Sequence, residues 1–353
     1  MSTATAETRS PNQVWVGRMF VNPAFDYLVI GGGLSLLVVG WIMYLGSDTT
    51  FLQRFTHPGN LAWLFLLSNA AHFAASTVRL YTKPGAYKSL PFLTYSFPAV
   101  CLVVLTLCIA VPGNIGRHLF ALYLTWSPYH YAAQTYGLSV MYSYRSGCRL
   151  ESFDKRLLYW ICLIPFVYNC LTTESAGLRW LLRMIAIEVD NGSPLLANAL
   201  IGFRIAALVA PLMLVFKIAN SKSGPMPLIS LLLIVTNNIW WFIFPAYQAF
   251  IWATIFHGVQ YLAIVIIFHL RDQMSRENNR FPAAFHAIVF YAMCVPLGYA
   301  LFQCLPWFYR MFGFGTVESV LLVTAIINIH HFIVDAYIWR LRSSDSNSKI
   351  VSS

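Results

Sequence analysis

The chain has 353 residues, of which 58% are hydrophobic and only 10% are charged. In soluble globular domains roughly a quarter of the residues are charged, so this composition excludes a soluble domain and indicates an integral membrane protein. The net charge of +10 lies mostly in loops between apolar segments. Anionic lipid headgroups account for these basic residues, and we expect no nucleic-acid partner.

Apolar segments recur along the chain, and about 20 residues of helix cross the roughly 30 Å hydrocarbon layer of a bilayer. We predict an all-α polytopic bundle of about ten spans, with residues 27–340 forming a single transmembrane domain. The predicted spans are Tyr27–Leu45, Asn60–Tyr81, Pro91–Val111, His118–Tyr142, Leu157–Thr173, Leu195–Ala219, Met226–Tyr247, Gln248–Leu270, Ala283–Cys304 and Thr316–Trp339. Pro245 marks the turn between the seventh and eighth spans. The amphipathic stretch Leu178–Ile187 is predicted to lie along the membrane surface.

Positively charged residues predict the orientation of the bundle, because cytoplasmic loops of membrane proteins are enriched in Lys and Arg. A cytoplasmic amino-terminal segment, residues 1–26, places 17 of the 23 Lys and Arg residues in cytoplasmic segments and 5 in external ones. We therefore predict that both termini are cytoplasmic, including a tail at residues 341–353. The expected location is a bacterial cytoplasmic membrane.

Five of the nine histidines lie well inside predicted spans, where polar groups are costly and by default suggest function. His72 is in the second span, His130 in the fourth, His257 in the eighth, and His330 and His331 in the tenth. These spans are all even-numbered, so they cross the membrane in the same direction. At 1.5 Å per residue the histidines differ in depth by about 12 Å, which tilt and packing can remove.

The intramembrane histidines have polar neighbours at helical spacing. A metal-bound imidazole usually gives its second nitrogen to a carbonyl, amide or carboxylate that fixes its orientation. Asn328, His331 and Asp335 are three and four residues apart and therefore share a helix face. The residues predicted to support a bound metal or cofactor are Asn69, Gln134, Gln260, Asn328 and, as an auxiliary residue, His330.

Iron accepts imidazole and carboxylate ligands together, so we predict a non-haem iron site. Its predicted ligands are His72, His130, His257, His331 and Asp335. Two other roles remain open for Asp335: it orients His331 without binding metal, or it pairs with Arg204 of the sixth span. No catalytic residue is predicted.

Two alternatives to non-haem iron stay open. One is a haem-binding electron-transfer protein with a single haem, for example between His130 and His257. Two stacked haems are disfavoured, because His118 and His130 are 12 residues apart, as are His257 and His269. Twelve residues rotate a helix by about 120° beyond whole turns, so such pairs face different ways. The other is a transporter or non-catalytic membrane subunit in which the histidines form a polar network.

We predict that the protein is a membrane oxidoreductase that uses dioxygen to hydroxylate, desaturate or cleave a lipophilic substrate. The substrate would arrive from the lipid bilayer, and an electron-donor protein is a further expected partner. Trp126 and Tyr129, beside His130, would help to form an apolar chamber for that substrate. The His-x-x-x-His and His-x-x-His-His motifs of membrane desaturases and hydroxylases are absent. Bacterial carotenoid-cleaving membrane oxygenases are similar in type, with polytopic helices and intramembrane histidines, but no motif matches and no family is assigned.

Overall fold

The computed structural model describes residues 15–45, 58–82, 86–188, 190, 192–220, 224–244 and 246–339. These residues form helices and no strand, which confirms the predicted all-α class. In chain order the helices are α1 Pro23–Ile30, α2 Gly33–Tyr44, α3 Leu61–Thr82, α4 Ala86–Ser89, α5 Phe92–Ala110, α6 Arg117–Arg145, α7 Ser152–Thr172, α8 Gly177–Met184, α9 Pro194–Ala219, α10 Leu228–Ile243, α11 Ala246–Met274, α12 Ala283–Met311 and α13 Thr316–Ile338.

Six of the described helices are long and apolar enough to cross a membrane: α3, α5, α9, α11, α12 and α13. The number rises to eight if each of two bent pairs is one broken span, α1 with α2 at 59° and α7 with α8 at 48°. All ten predicted segments coincide with helices, but the count of ten spans and the cytoplasmic termini stay predictions. Residues 1–14 and 340–353, and Pro245 with its predicted turn, lie outside the described residues.

The other two predicted spans correspond to α6 and α10. α10 has only 16 residues, which is short for a bilayer crossing. α6 is 29 residues long but carries many polar side chains, and the protein buries them. Ser127, His130, Thr135, Ser139 and Ser143 are each less than one-tenth exposed. α6 therefore turns its polar residues toward the other helices, not toward lipid.

The predicted first span is broken at its glycines. α1 ends at Ile30 and α2 begins at Gly33, on either side of the 59° bend. Gly32 has a φ of +81°, a left-handed conformation that favours glycine. A Cβ at Gly32 would also lie 2.7 Å from the hydroxyl oxygen of Thr236 on α10. Both observations explain why glycine stands at the bend.

Three of the long apolar helices form the centre of the bundle. The most apolar stretch is 72% buried in α11, 61% in α13 and 56% in α3, but only 17% in α9 and in α12. α6 packs against α13, and α3 packs against α11, α12 and α13. The four helices α3, α6, α11 and α13 carry the intramembrane histidines, so the best-packed part of the molecule holds the candidate site.

Glycines let α11 and α12 approach α3 just before His72. Residues Phe65–Ala70 of α3 form a π-helical turn, a local widening that is frequent at functional sites. A Cβ at Gly298 of α12 would lie 2.7 Å from the carbonyl group of Ala70. A Cβ at Gly258 of α11 would lie 3.2 Å from the carbonyl oxygen of Ser68. Small residues at such contacts bring helix backbones close together.

Candidate metal centre

Four imidazoles from four different helices meet at one point. His72 comes from α3, His130 from α6, His257 from α11 and His331 from α13. One ring nitrogen from each lies within 4.8 Å of the nitrogens of the other three. All four side chains are buried, with exposed fractions of 0%, 9%, 4% and 1% respectively. Packing of the helices thus removes the depth difference estimated from the sequence.

The shortest contacts involve His331. Its Nε2 atom lies 3.1 Å from Nε2 of His72 and 3.2 Å from Nε2 of His130. Metal–imidazole bonds are about 2.0–2.1 Å long, which places neighbouring ligand nitrogens about 2.8–3.4 Å apart for angles from 90° to tetrahedral. These two separations fall inside that interval, so His331 is spaced from His72 and from His130 as two ligands of one ion are.

Hydrogen bonds to the second ring nitrogens show which atoms carry lone pairs. His72 donates from Nδ1 to the main-chain carbonyl of Asn69, over 3.0 Å. The hydroxyl of Ser76 donates to the carbonyl of Phe73, so its oxygen accepts from Nδ1 of His331, over 3.0 Å. A neutral imidazole has only one N–H group. In these tautomers the Nε2 lone pairs of His72 and His331 therefore face each other.

Facing lone pairs repel each other, and a cation between them removes that repulsion. A single proton would satisfy one of the two contacts of His331 and leave an imidazolium in a buried apolar site, which is costly. Nε2 of His257 is buried and has no hydrogen-bond partner among the described residues. Leaving such a group unsatisfied costs about 1–3 kcal/mol. One metal ion would accept lone pairs from all four rings, so the chemistry of these donors fits a metal.

Asp335 lies beside the four imidazoles. Its Oδ2 atom is 3.3 Å from Nε2 of His331 and 3.8 Å from Nε2 of His130. Its Oδ1 atom accepts a 2.6 Å hydrogen bond from the hydroxyl of Tyr261. Arg204 donates instead to the hydroxyl of Tyr168 on α7, over 2.8 Å. Asp335 therefore directs one oxygen toward the imidazoles while Tyr261 holds the other.

The predicted supporting residues on α3 and α13 contact groups other than those expected from spacing. Asn69 serves His72 through its main-chain carbonyl, and its side-chain oxygen is buried without a partner among the described residues. The side chain of Asn328 donates to the carbonyl of Thr324, one turn earlier on its own helix. His330 stacks on Phe97 of α5, with ring centroids 5.2 Å apart. None of these three side chains is shown to touch the four imidazoles.

The two glutamines lie next to His257. The side-chain amide of Gln134 donates to the main-chain carbonyl of His257, over 3.4 Å. Gln260 and His257 both line a cavity of about 30 Å³ between α2, α6, α10 and α11. A polar cavity of this size can hold ordered water.

Two contacts of the site were not predicted. Ser76 lies four residues after His72 on the same helix, but its hydroxyl oxygen binds His331 of α13. Tyr261 follows Gln260 in the sequence, and its bond to Asp335 joins α11 to α13. Spacing by four places Ser76 on the helix face of His72 and Tyr261 on that of His257. Only the packing of the helices decides which partner each one meets.

An elongated cavity of about 420 Å³ lies beside the site, against His130 and Asp335. Its walls are mostly apolar, and two of the predicted metal ligands, His130 and Asp335, form part of them. The lining residues are Trp126, Tyr129, His130, Ala133, Gln134, Gly137, Leu138, Met141, Tyr261, Ile264, Phe332, Asp335, Ala336 and Trp339. Volumes of roughly 300–1,000 Å³ are typical of sites for small organic ligands.

No protein-family model, no curated protein and no solved structure matches this chain. The described residues are all-helical and include membrane-span candidates, and four of their buried histidines could hold a metal ion.

Proposed function

We propose that this chain is an integral-membrane metalloprotein that binds one transition-metal ion through His72, His130, His257 and His331. The observation that carries the proposal is the convergence of one nitrogen from each of four buried imidazoles to within 4.8 Å. Asp335 lies at the side of the site that faces the elongated cavity. Its Oδ2 atom, 3.3 Å from Nε2 of His331, can complete the coordination of the metal or hold a proton beside it.

We further propose that the ion is iron and that the protein is an oxidoreductase. Imidazole nitrogens together with a carboxylate suit iron. When bound, iron supplies redox chemistry with dioxygen, which hydroxylates, desaturates or cleaves an otherwise unreactive hydrocarbon. The chain itself contributes the apolar cavity, which positions a lipophilic substrate beside His130 and Asp335 and excludes water. Hydroxylation and desaturation would in addition need an electron-donor protein.

The contacts between the rings favour a single ion over a haem. In a haem with two histidine ligands, the imidazoles lie on opposite faces of a flat macrocycle. Here His72 and His130 each meet His257 and His331 edge to face, with ring centroids 4.5–5.0 Å apart. For His130 and His257, the pair considered above for a haem, the ring centroids are 4.9 Å apart and the ring planes lie at 73° to each other.

Metal analysis of the protein purified in detergent, together with its visible spectrum, tests the proposal. We expect about one metal ion per chain, and loss of that ion when any one of the four histidines is changed to alanine. His330→Ala is the matched control, because His330 lies next to His331 on α13 but its ring stacks on Phe97. Full metal content in the four alanine variants would contradict the proposal. An absorption band of haem would support the haem alternative, and folded protein that cannot be loaded with metal would support a polar network.

A further inference from the structure

The cavity beside the four imidazoles follows one helix for four turns. The α6 residues in its wall recur at alternating intervals of three and one, as one continuous helical face does: Trp126, Tyr129, His130, Ala133, Gln134, Gly137, Leu138 and Met141. Fifteen residues separate the first from the last, which corresponds to about 22 Å of helix. The cavity is therefore long and narrow.

The opposite wall comes from α13 and α11. Phe332 of α13 approaches Trp126, with ring centroids 5.9 Å apart, near one end. Trp339 lies after α13 and packs on Tyr261 of α11, with centroids 6.1 Å apart, near the other end. Ile264 of α11 completes this wall. An aromatic ring thus lies near each end of the mostly apolar cavity.

The metal centre adjoins this cavity well away from its midpoint. His130 is four residues from Trp126 and eleven residues from Met141, or about 6 Å and 16 Å along α6. A straight apolar molecule in the cavity would extend a short arm past the metal centre toward Trp126. Its long arm would extend toward Met141.

Gly137 lies beside the long arm. A Cβ atom at Gly137 would have no neighbour within 4 Å, so this glycine is not required for helix packing. Gly258 and Gly298 differ, because a Cβ at either would meet the main chain of α3 at 3.2 Å or 2.7 Å. At Gly137 the missing side chain instead leaves space in the cavity, seven residues or about 10 Å beyond His130.

We propose that Gly137 determines how long an apolar ligand this protein accepts, because the long arm of an extended hydrocarbon lies against it. The ligand class is an elongated, uncharged hydrocarbon chain. That a carbon between the two arms is oxidised beside His130 and Asp335 rests on the proposed function. Binding of the long arm depends only on the shape of the cavity.

Photolabelling of the purified protein with n-alkyl probes of two lengths, each with a diazirine at one end, tests the inference. In the wild type, we expect the long probe to label peptides that contain Met141 and Trp339, and the short probe to label the peptide that contains Trp126. Gly137→Leu should abolish labelling at Met141 and Trp339 by the long probe and retain labelling near Trp126 by the short one. Gly137→Ala should partly reduce labelling at Met141 and Trp339 by the long probe.

Gly202→Leu is the matched control, since Gly202 lies on exposed α9 and also has an open Cβ position. Its labelling pattern should equal that of the wild type. Unchanged labelling at Met141 in Gly137→Leu would overturn the inference, as would complete displacement of the probe by excess phospholipid. Metal content is measured in the same samples and should not change with Gly137→Leu. A metal-free wild type with the expected labelling would reject the proposed function and leave this inference standing.

Discussion

Removing the hydroxyl of Tyr261 isolates the contribution of Asp335 to the metal centre. This hydroxyl donates over 2.6 Å to Oδ1 of Asp335, which is 5% exposed. Hydrogen bonds to charged groups contribute about 1.5–3 kcal/mol. Residues that orient a ligand or nearby carboxylate usually change metal affinity by about 10- to 100-fold. We therefore expect Tyr261→Phe to lose about 1.5–3 kcal/mol of stability and to bind metal 10- to 100-fold more weakly.

Tyr131→Phe is the matched control for this substitution. The Tyr131 hydroxyl is also buried and bonds to Thr254 over 2.7 Å, and its ring packs on His257. Within the described part of the chain no hydrogen bond joins it to Asp335, and its partner is neutral, so its loss should cost only about 0.5–1.5 kcal/mol. Thermal unfolding in detergent measures stability, and competition with a chromophoric chelator measures affinity. Equal metal affinity in Tyr261→Phe and Tyr131→Phe would refute the role of Tyr261.

Three further predictions follow from the packing and burial of other residues. Gly298→Ala places a methyl group 2.7 Å from the main chain of α3 and should lower the stability measured by thermal unfolding by about 1–3 kcal/mol. Gly202→Ala should be neutral or slightly stabilising. Equal thermal midpoints of the two variants would contradict the close contact. Removing the metal with a chelator should lower the thermal midpoint of the wild type, and metal restored to a hundredfold of its Kd should return about 2.7 kcal/mol. His257→Ala should show a much smaller response to metal, and an undiminished response would exclude His257 as a ligand. Burial raises the pKa of the Cys148 thiol to about 11, so this thiol is protonated at neutral pH. Cys148 should therefore resist maleimide, whereas the exposed Cys304 should react. Peptide mass spectrometry distinguishes the two cysteines, and rapid modification of Cys148 would contradict its burial.

Two features of the site could be predicted from the sequence because they depend on helical geometry alone. Counting residues from the charged loops predicted that four spans carry His72, His130, His257 and His331 at depths that helix tilt and packing can bring to one level. Spacing by four placed His331 and Asp335 on one face, and they lie 3.3 Å apart in the structure. A helix has a fixed rise and rotation per residue, so such arguments carry over from sequence to structure.

Contacts between helices could not be predicted in the same way. Ser76 shares a face with His72 but bonds to His331, because the relative rotation of α3 and α13 decides its partner. Asn69 orients His72 through its main-chain carbonyl, a group that every residue has and that a sequence cannot distinguish. Gly137 and Gly298 are the same residue type, but Gly137 leaves space in a cavity and Gly298 permits close helix packing.

The span count shows a further limit of hydropathy. α6 carries buried serines, threonines and a histidine that lower its apolar character, although it lies beside α13 in the bundle. A helix that faces the protein interior on its polar side does not need an apolar surface all round. These polar residues remove α6 from the helices that length and composition alone identify as spans.

X-ray absorption spectroscopy at the edge of the bound metal tests the central claim most directly. The account predicts one ion per chain, coordinated by four imidazole nitrogens at about 2.0–2.1 Å, with the bound metal and its imidazole signal lost in His72→Ala and unchanged in His330→Ala. A first coordination sphere made only of oxygen, or an imidazole signal that survives in His72→Ala, would contradict it.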